Sequence, residues 1–328
     1  MRLLPLWFGC VDVLSPLLAG VANMTHGPQA RMPIRLSRMP AHALRTLRQH
    51  RPALLMGLFL LLTLGSRPAT SADKPLVLGV FPHLAAKQII ENYQPLASTL
   101  EKQLHRHVVV YSAPNLRTFA ERTQQGDYDI LLTPPHLAWL ARQDAGYRPL
   151  LKYAQPVQGL LVVRSDSPFT APEALRGRTI ATADAIAMAS LALEADLAKR
   201  GLKRGLDYRT MESGTHTSTM MQVVNKRADA AMIGQHAYQL MPDDLRNQLR
   251  ILAKTPPLSS LMYLAHPRMG DAEAQAVRQA LLSFAARPEG QAFMQNGQYG
   301  GFVSVDGNEL HAFRSYALQA QEMLRARR

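Results

Sequence analysis

Short apolar runs alternate with amphipathic stretches along most of the chain. Runs of strand length occupy residues 76–81, 107–111 and 128–133, and stretches of helical periodicity separate them at residues 86–104 and 116–125. A short apolar run indicates a buried strand, whereas apolar residues three and four positions apart indicate a helix with one buried face. Strands that alternate with helices in this way predict parallel pairing and right-handed crossovers, so the predicted fold class is α/β.

A second block with the same alternation follows Pro156. One of its helices is predicted at residues 185–199, directly behind Asp184, which is a favoured helix N-cap residue type. Two blocks predict two lobes with a ligand cleft between them, and the prolines near residues 154–158 and 254–260 favour a hinge where the chain crosses from one lobe to the other. The predicted strands of this block are residues 159–164, 178–183, 208–211, 228–233 and 249–252.

The stretch 212–235 combines a polar turn, a helix and a buried strand. Its Ser-Gly-Thr-His turn at residues 213–216 carries hydroxyls that cap helices. Met220, Val223 and Val224 follow at helical spacing, and residues 228–233 form an apolar run. Ligands of open α/β sheets bind beyond the carboxyl ends of the strands, so we expect this stretch to form one wall of the cleft.

The N-terminal part of the chain has the layout of a secretory signal. Arg45, Arg48 and Arg51 precede an apolar core at residues 53–65 and small residues at 69–72. We therefore divide the chain into a mis-assigned start or disordered extension (1–38), a signal peptide (39–72), the first part of lobe 1 (73–155), lobe 2 (156–257) and the completion of lobe 1 with C-terminal helices (258–328). Export to the periplasm follows, and the alternative is a retained membrane anchor.

Charge and cysteine content exclude several classes of function. The formal net charge is +13, but residues 1–72 contain eight basic residues and one acidic residue. The remaining basic residues are dispersed and form no patch, which argues against a nucleic-acid partner. Cys10 is the only cysteine, so a chain without its leader has no disulfide, no cysteine-bound metal and no cysteine nucleophile.

Several short motifs occur in a fixed order over residues 74–305. They include LVLGVFPHL at 76–84, APN at 113–115, GDYD at 126–129, TPPH at 133–136, SDS at 165–167, LRGRT at 175–179, SGTH at 213–216 and ADAA at 228–231. In this order the chain resembles the phosphate/phosphite/phosphonate-type periplasmic substrate-binding proteins of ABC transporters, which have the type II periplasmic binding protein fold. The resemblance implies a monomer that closes two lobes on a small-molecule ligand and presents it to an ABC permease in the inner membrane. It implies neither a cofactor nor catalysis.

The resemblance also implies a place for the phosphoryl group. In the family, hydroxyls and backbone amides hold this group where a strand of the second lobe enters a helix, and such a helix terminus attracts anions. The corresponding segment here is 182–190, in which Thr182 and Ser190 carry hydroxyls and Asp184 carries a carboxyl group. A carboxylate disfavours a dianion, so a cationic, zwitterionic or neutral ligand with Asp184 as counter-charge is the alternative, and a helix cap is the other role open to Asp184.

Four histidines follow predicted strands, at the ends where the cleft is expected. We predict that they donate hydrogen bonds to an oxyanion and carry positive charge below a pH of about 6.5. Their spacing does not favour a metal site. The full set of predicted ligand-binding residues is His83, Thr133, His136, Thr182, Asp184, Ser190, Thr215, His216, Thr217, Gln235 and His236.

Two other functions fit the same fold. A periplasmic sensory module that reports ligand occupancy to a membrane sensor kinase or cyclase has the same binding lobes. An enzyme needs a positioned base and nucleophile, and the sequence shows no such pair. We therefore expect a solute-binding protein of an ABC transporter that is not an enzyme.

Overall fold

The computed structural model describes residues 74–306 and 308–326, so Cys10 and the predicted leader at residues 1–72 lie outside the described part. Most of the described strands are short and strongly buried, as the apolar runs predict. In chain order they are β1 (Leu76–Val80), β2 (Val108–Tyr111), β3 (Ile130–Thr133), β4 (Arg148–Tyr153), β5 (Gly159–Arg164), β6 (Thr179–Thr182), β7 (Arg209–Glu212), β8 (Ala230–Gly234), β9 (Leu249–Lys254), β10 (Met262–Ala265) and β11 (Phe302–Val303).

Helices separate most of these strands. In chain order they are α1 (Ala86–Leu104), α2 (Leu116–Gln125), α3 (Pro135–Ala145), α4 (Met188–Lys199), α5 (His216–Val224), α6 (Gln235–Gln239), α7 (Asp243–Arg246), α8 (Gly270–Ala286), α9 (Pro288–Asn296) and α10 (Arg314–Ala326). Single 3-10 turns occur at Pro172–Leu175, Pro267–Met269 and Glu309–Phe313. None of the helices in the described residues has both the length and the apolar character needed to span a membrane.

The described strands form two mixed sheets, one in each lobe. The first has the order β11-β4-β10-β3-β1-β2, and its β3-β1-β2 part is parallel, as the sequence predicts. The second has the order β7-β6-β8-β5-β9, in which β5 runs antiparallel to both of its neighbours. The α/β prediction is therefore confirmed.

Two connecting segments link the sheets. One is residues 154–158, between β4 and β5, and the other is residues 255–261, between β9 and β10. An isolated antiparallel bridge pairs Val157 with Leu258, so the two segments run side by side. Thr255 fixes the second segment, because its hydroxyl accepts a hydrogen bond from the amide of Gly159 at 3.0 Å.

The first sheet is covered on both faces, and this explains its continuous apolar strands. In β3, Ile130, Leu131 and Leu132 have no exposed surface, although successive side chains point to opposite faces. Close packing also requires a glycine in β1, because a Cβ at Gly79 would lie 2.4 Å from the ring of Tyr128.

One predicted helix start is wrong. Helix α4 begins at Met188 after Ala187, which provides no side-chain cap. Asp184 instead closes the preceding turn, in which its Oδ1 accepts a hydrogen bond from the amide of Ile186 at 3.0 Å. The last of the predicted C-terminal helices, α10, is preceded by a 3-10 turn and becomes α-helical only at Arg314.

The lobes pack against each other beside the cleft. Ile186, Ala187 and Leu191 of the second lobe join an apolar cluster that contains Leu116 and Leu137 of the first. Phe313, in the 3-10 turn before α10, packs with Met188 and Ala192 of α4. The C-terminal segment therefore contacts both lobes.

Candidate functional site

A cavity of about 110 Å³ lies between the lobes. That space is several times what one water molecule needs, which is enough for a small polar ligand. Loops at the carboxyl ends of β1, β3, β6 and β8 line it together with both connecting segments. The cavity therefore occupies the position at which ligands bind in open α/β sheets.

Five of the predicted ligand-binding residues line this cavity: His83, Asp184, His216, Gln235 and His236. The other six do not line it. They are Thr133, His136, Thr182, Ser190, Thr215 and Thr217. A ligand-binding role for any of these residues stays a prediction.

The hydroxyls of the predicted phosphoryl segment are engaged inside the second lobe. Thr182 and Ser190 have no exposed surface, and their hydroxyls form a hydrogen bond with each other. Thr182 Oγ1 also donates to the carbonyl of Asp184 at 3.2 Å. In this conformation both hydroxyls stabilise the loop in front of α4.

Thr215 caps α5, as the sequence predicts. Its Oγ1 accepts a hydrogen bond from the amide of Ser218 at 3.1 Å, and the Ser218 hydroxyl accepts one from the amide of Thr215 at 3.2 Å. This reciprocal pair is a capping box. Thr217, two residues further along, is exposed.

His83 is held by the loop that follows β1. Its Nδ1 donates a hydrogen bond to the carbonyl of Phe81 at 2.9 Å, and its ring stacks on the Phe81 ring at a centroid distance of 4.6 Å. Its Nε2 is buried and has no hydrogen-bond partner among the described residues. Burial lowers the pKa of His83 to about 4, although the hydrogen bond to Phe81 opposes the shift.

Two histidines of the second lobe lie close to His83. The rings of His83 and His236 are 6.1 Å apart between centroids. Burial, and then repulsion from His83, lower the pKa of His216 to about 4 and that of His236 to about 3. The expectation that these histidines are charged below a pH of about 6.5 is therefore wrong for this conformation, because desolvation disfavours the charged ring.

Two hydrogen bonds that involve histidines cross between the lobes. His136, at the start of α3, donates from Nε2 to the carbonyl of Ile186 at 2.9 Å. The hydroxyl of Tyr299 lies 3.0 Å from His236 Nε2, and the two rings are 4.8 Å apart. His136 thus joins the lobes beside the cavity and is not part of its wall.

Three longer helices begin at the cavity. Its lining includes Pro134 and Pro135 at the start of α3, Met188 at the start of α4, and Gly214 and His216 at the start of α5. Helix N-termini carry unpaired N–H groups and partial positive charge. The described lining residues include no lysine or arginine, so these termini provide the main attraction for an anion.

Sequence reasoning missed several lining residues. Tyr299 and Gln298 belong to the turn between α9 and β11, and Gln155, Gln158 and Ser260 belong to the connecting segments. The glycines around Tyr299 mark a turn in the sequence, but only the tertiary structure brings that turn to His236. Among the described residues, no group of three or more His, Cys, Asp or Glu side chains is arranged to hold a metal ion.

Comparisons with solved structures show the same fold at low sequence identity. A binding protein component of an ABC phosphonate transporter from Pseudomonas aeruginosa aligns with a TM-score of 0.68 and 18% identity over 76% of this chain and 87% of that one. PhnD1 from Prochlorococcus marinus, in complex with methylphosphonate, aligns with a TM-score of 0.67 and 14% identity over 76% of this chain and 99% of that one. XAC2383 from Xanthomonas citri, bound to ATP, aligns with a TM-score of 0.62 and 20% identity over 75% of this chain and 98% of that one.

These neighbours confirm the two-lobe type II periplasmic binding protein fold. A search of the curated proteins finds no match. The sequence profile described as "ABC transporter, phosphonate, periplasmic substrate-binding protein" matches residues 78–310, which contain both lobes and the cavity between them. The chain therefore belongs to the family of periplasmic substrate-binding proteins of ABC phosphonate transporters.

Proposed function

We propose that this protein captures a small phosphonate-type oxyanion in the cavity between its lobes and delivers it to an ABC permease in the inner membrane. Export through the signal at residues 39–72 places it in the periplasm, where it acts as a monomer. It releases the ligand chemically unchanged and needs no cofactor.

The observation that carries the proposal is the convergence of α3, α4 and α5 on one cavity. Helix α3 belongs to the first lobe, whereas α4 and α5 belong to the second. An anion between these N-termini receives N–H groups from both lobes, so its binding favours the closed arrangement. The apolar side chains of Phe81, Leu258 and Leu261 also line the cavity and offer contacts to a carbon substituent.

Binding of defined ligands to the purified protein tests this proposal. A thermal-shift series with methylphosphonate, phosphite, phosphate, methanesulfonate and a small amine identifies the ligand class. A ligand present at 100 times its dissociation constant adds about 2.7 kcal/mol to the free energy of unfolding. We expect methylphosphonate or a related oxyanion to give such a shift; stabilisation by the amine alone would show that the ligand is a cation.

A matched pair of substitutions at Gly214 tests the sign of the ligand charge. Gly214 lines the cavity, has a φ of +81°, and nothing lies within 4 Å of a Cβ added there. Asn and Asp both tolerate this left-handed backbone, so Gly214→Asn and Gly214→Asp differ mainly in charge. We expect Gly214→Asp to bind an oxyanion about tenfold or more weakly than Gly214→Asn, through repulsion across a few ångströms.

Deleting the gene separates transport from sensing. If the deletion strain cannot grow on methylphosphonate as the sole phosphorus source but retains ligand-induced transcription, the result supports import. If the strain grows on methylphosphonate but loses ligand-induced transcription, the result supports the sensory alternative.

A further inference from the structure

The hydrogen bond that holds His83 fixes which of its ring nitrogens carries a proton. A carbonyl oxygen only accepts hydrogen bonds, so the contact of 2.9 Å between Nδ1 and the Phe81 carbonyl places the proton on Nδ1. In a neutral imidazole the other nitrogen then has a lone pair and no proton. His83 Nε2 is therefore a hydrogen-bond acceptor.

Within the part of the chain that the structure describes, this acceptor has no hydrogen-bond partner. His83 lines the cavity, is only 4% exposed, and its Nε2 is a buried atom without a hydrogen bond among the described residues. A buried polar atom left unpaired is costly, and such atoms are uncommon in folded proteins. The ligand is the natural source of the missing donor.

The groups around His83 do not supply a proton to it. Tyr93 meets its ring edge-on at a centroid distance of 6.2 Å, and His236 lies at 6.1 Å. Burial, and then the charge that His83 would carry, lower the pKa of His216 to about 4, so the His216 ring is neutral at neutral pH. Asp184 lines the same cavity, where a carboxylate disfavours a dianion more than a monoanion.

We propose that the cleft selects its oxyanion in the singly protonated form, in which one P–O–H group of a phosphonate monoanion donates a hydrogen bond to His83 Nε2. This inference rests on the proposed function and adds the protonation state of the ligand to it. If a dianion enters and His83 takes a proton from solvent, the proton balance is the same. In either case the complex holds one proton more than the free protein and the dianion together.

Calorimetry of the purified protein with methylphosphonate tests the proton balance. Titrations from about pH 5.5 to about pH 9, in buffers of different ionisation enthalpy, measure protons taken up on binding. We expect uptake to approach one proton, and affinity to fall about tenfold per pH unit, once the free ligand is a dianion. Binding that is independent of pH, without proton uptake, would overturn the inference and leave the proposed function intact. If neither methylphosphonate nor a related oxyanion binds at any pH, the proposed function itself fails.

Methanesulfonate provides a test that needs no variant. At low pH it and methylphosphonate are both monoanions of similar shape, but only the phosphonate has an O–H group. We expect methanesulfonate to bind about tenfold to a hundredfold more weakly, because it leaves Nε2 unpaired. Equal affinities at low pH would show that the O–H group makes no contribution and would overturn the inference.

Substitution of His83 assigns the proton to this residue. The amide of His83→Gln offers a donor as well as an acceptor, so we expect it to bind the dianion without proton uptake. His107→Gln is the control, because His107 is an exposed histidine of the first lobe, away from the cavity. Circular dichroism checks that His83→Gln is folded, and full proton uptake by the folded variant would rule out His83 as the acceptor.

Discussion

His83 and His136 lie in the interior, with 4% and 0% of their surface exposed, and a backbone carbonyl accepts one hydrogen bond from each. Burial lowers the pKa of both rings to about 4. At the scale of single residues, both rings are therefore uncharged at neutral pH, and each has one nitrogen that donates a hydrogen bond and one that can accept a hydrogen bond.

The buried histidines predict loss of stability in mild acid. A histidine in the unfolded chain takes up a proton near pH 6.5, whereas these two remain neutral in the folded protein until about pH 4. Between these values the unfolded state binds more protons, so the free energy of unfolding falls as the pH falls. We expect each histidine to contribute about 1–3 kcal/mol of this loss, measured by urea unfolding at several pH values.

Variants separate this effect from the titration of carboxylates. The double variant His83→Gln/His136→Gln should show a weaker pH dependence of stability than the native protein. Parallel pH profiles for the two proteins would contradict the prediction.

Helix ends determine how the cleft loops are built. Helix α5 has a complete capping box at Thr215, whereas α4 begins after Ala187 without a side-chain cap. In front of α4, the hydroxyl pair of Thr182 and Ser190 and the turn closed by Asp184 order the chain instead. At the scale of elements, the hydroxyls of Thr182, Ser190 and Thr215, which the sequence predicts to bind a ligand, therefore stabilise the starts of α4 and α5 beside the cavity.

Removal of the α5 cap should destabilise the protein. We expect Thr215→Ala to lower the free energy of unfolding by about 0.5–2 kcal/mol, because the amide of Ser218 loses its acceptor. Thr217→Ala, in the same helical turn but exposed, is the matched control, with an expected change within about 0.5 kcal/mol. Urea unfolding measures both, and equal effects would show that the cap contributes nothing specific.

Among the described residues, several contacts join the lobes besides the two connecting segments and the apolar cluster around Ile186 and Leu191. His136 bonds to the carbonyl of Ile186, Tyr299 contacts His236, and Phe313 packs on α4. Each contact joins the first lobe or the C-terminal segment to the second lobe. In the described conformation these contacts hold the two lobes together beside the cavity.

Of these three contacts, the packing of Phe313 on α4 should contribute most to the free energy of unfolding. It is 6% exposed and packs with Met188 and Ala192, so Phe313→Ala leaves a void between α4 and the C-terminal segment. We expect a loss of about 3–5 kcal/mol in the free energy of unfolding, as for other buried phenylalanines. Leu318→Ala, at a position of α10 that is 38% exposed, should cost far less. Comparable losses for the two variants would show that Phe313 does not join the lobes.

Local periodicity predicts much of this fold. The bounds of α1, α2 and β5 agree with those expected from the sequence, because apolar spacing acts over neighbouring residues. Helix α4 shows the limit of this reasoning: Asp184 is a favourable cap residue, yet it closes a tight turn three residues before the cap position. The competition between a cap and a turn depends on how the loop packs, which the residue type does not specify.

The sequence by itself determined the α/β class, the two lobes, the family and the strand ends at which the cavity lies, since all of these follow from patterns within short segments. Only the tertiary structure decided which side chains line the cavity and which of the buried histidines are uncharged. Tyr299 meets His236 across 63 positions of sequence, and burial of His83, His216 and His236 lowers their pKa values. Contact and desolvation depend on neighbours distant in the chain, so no local pattern encodes them.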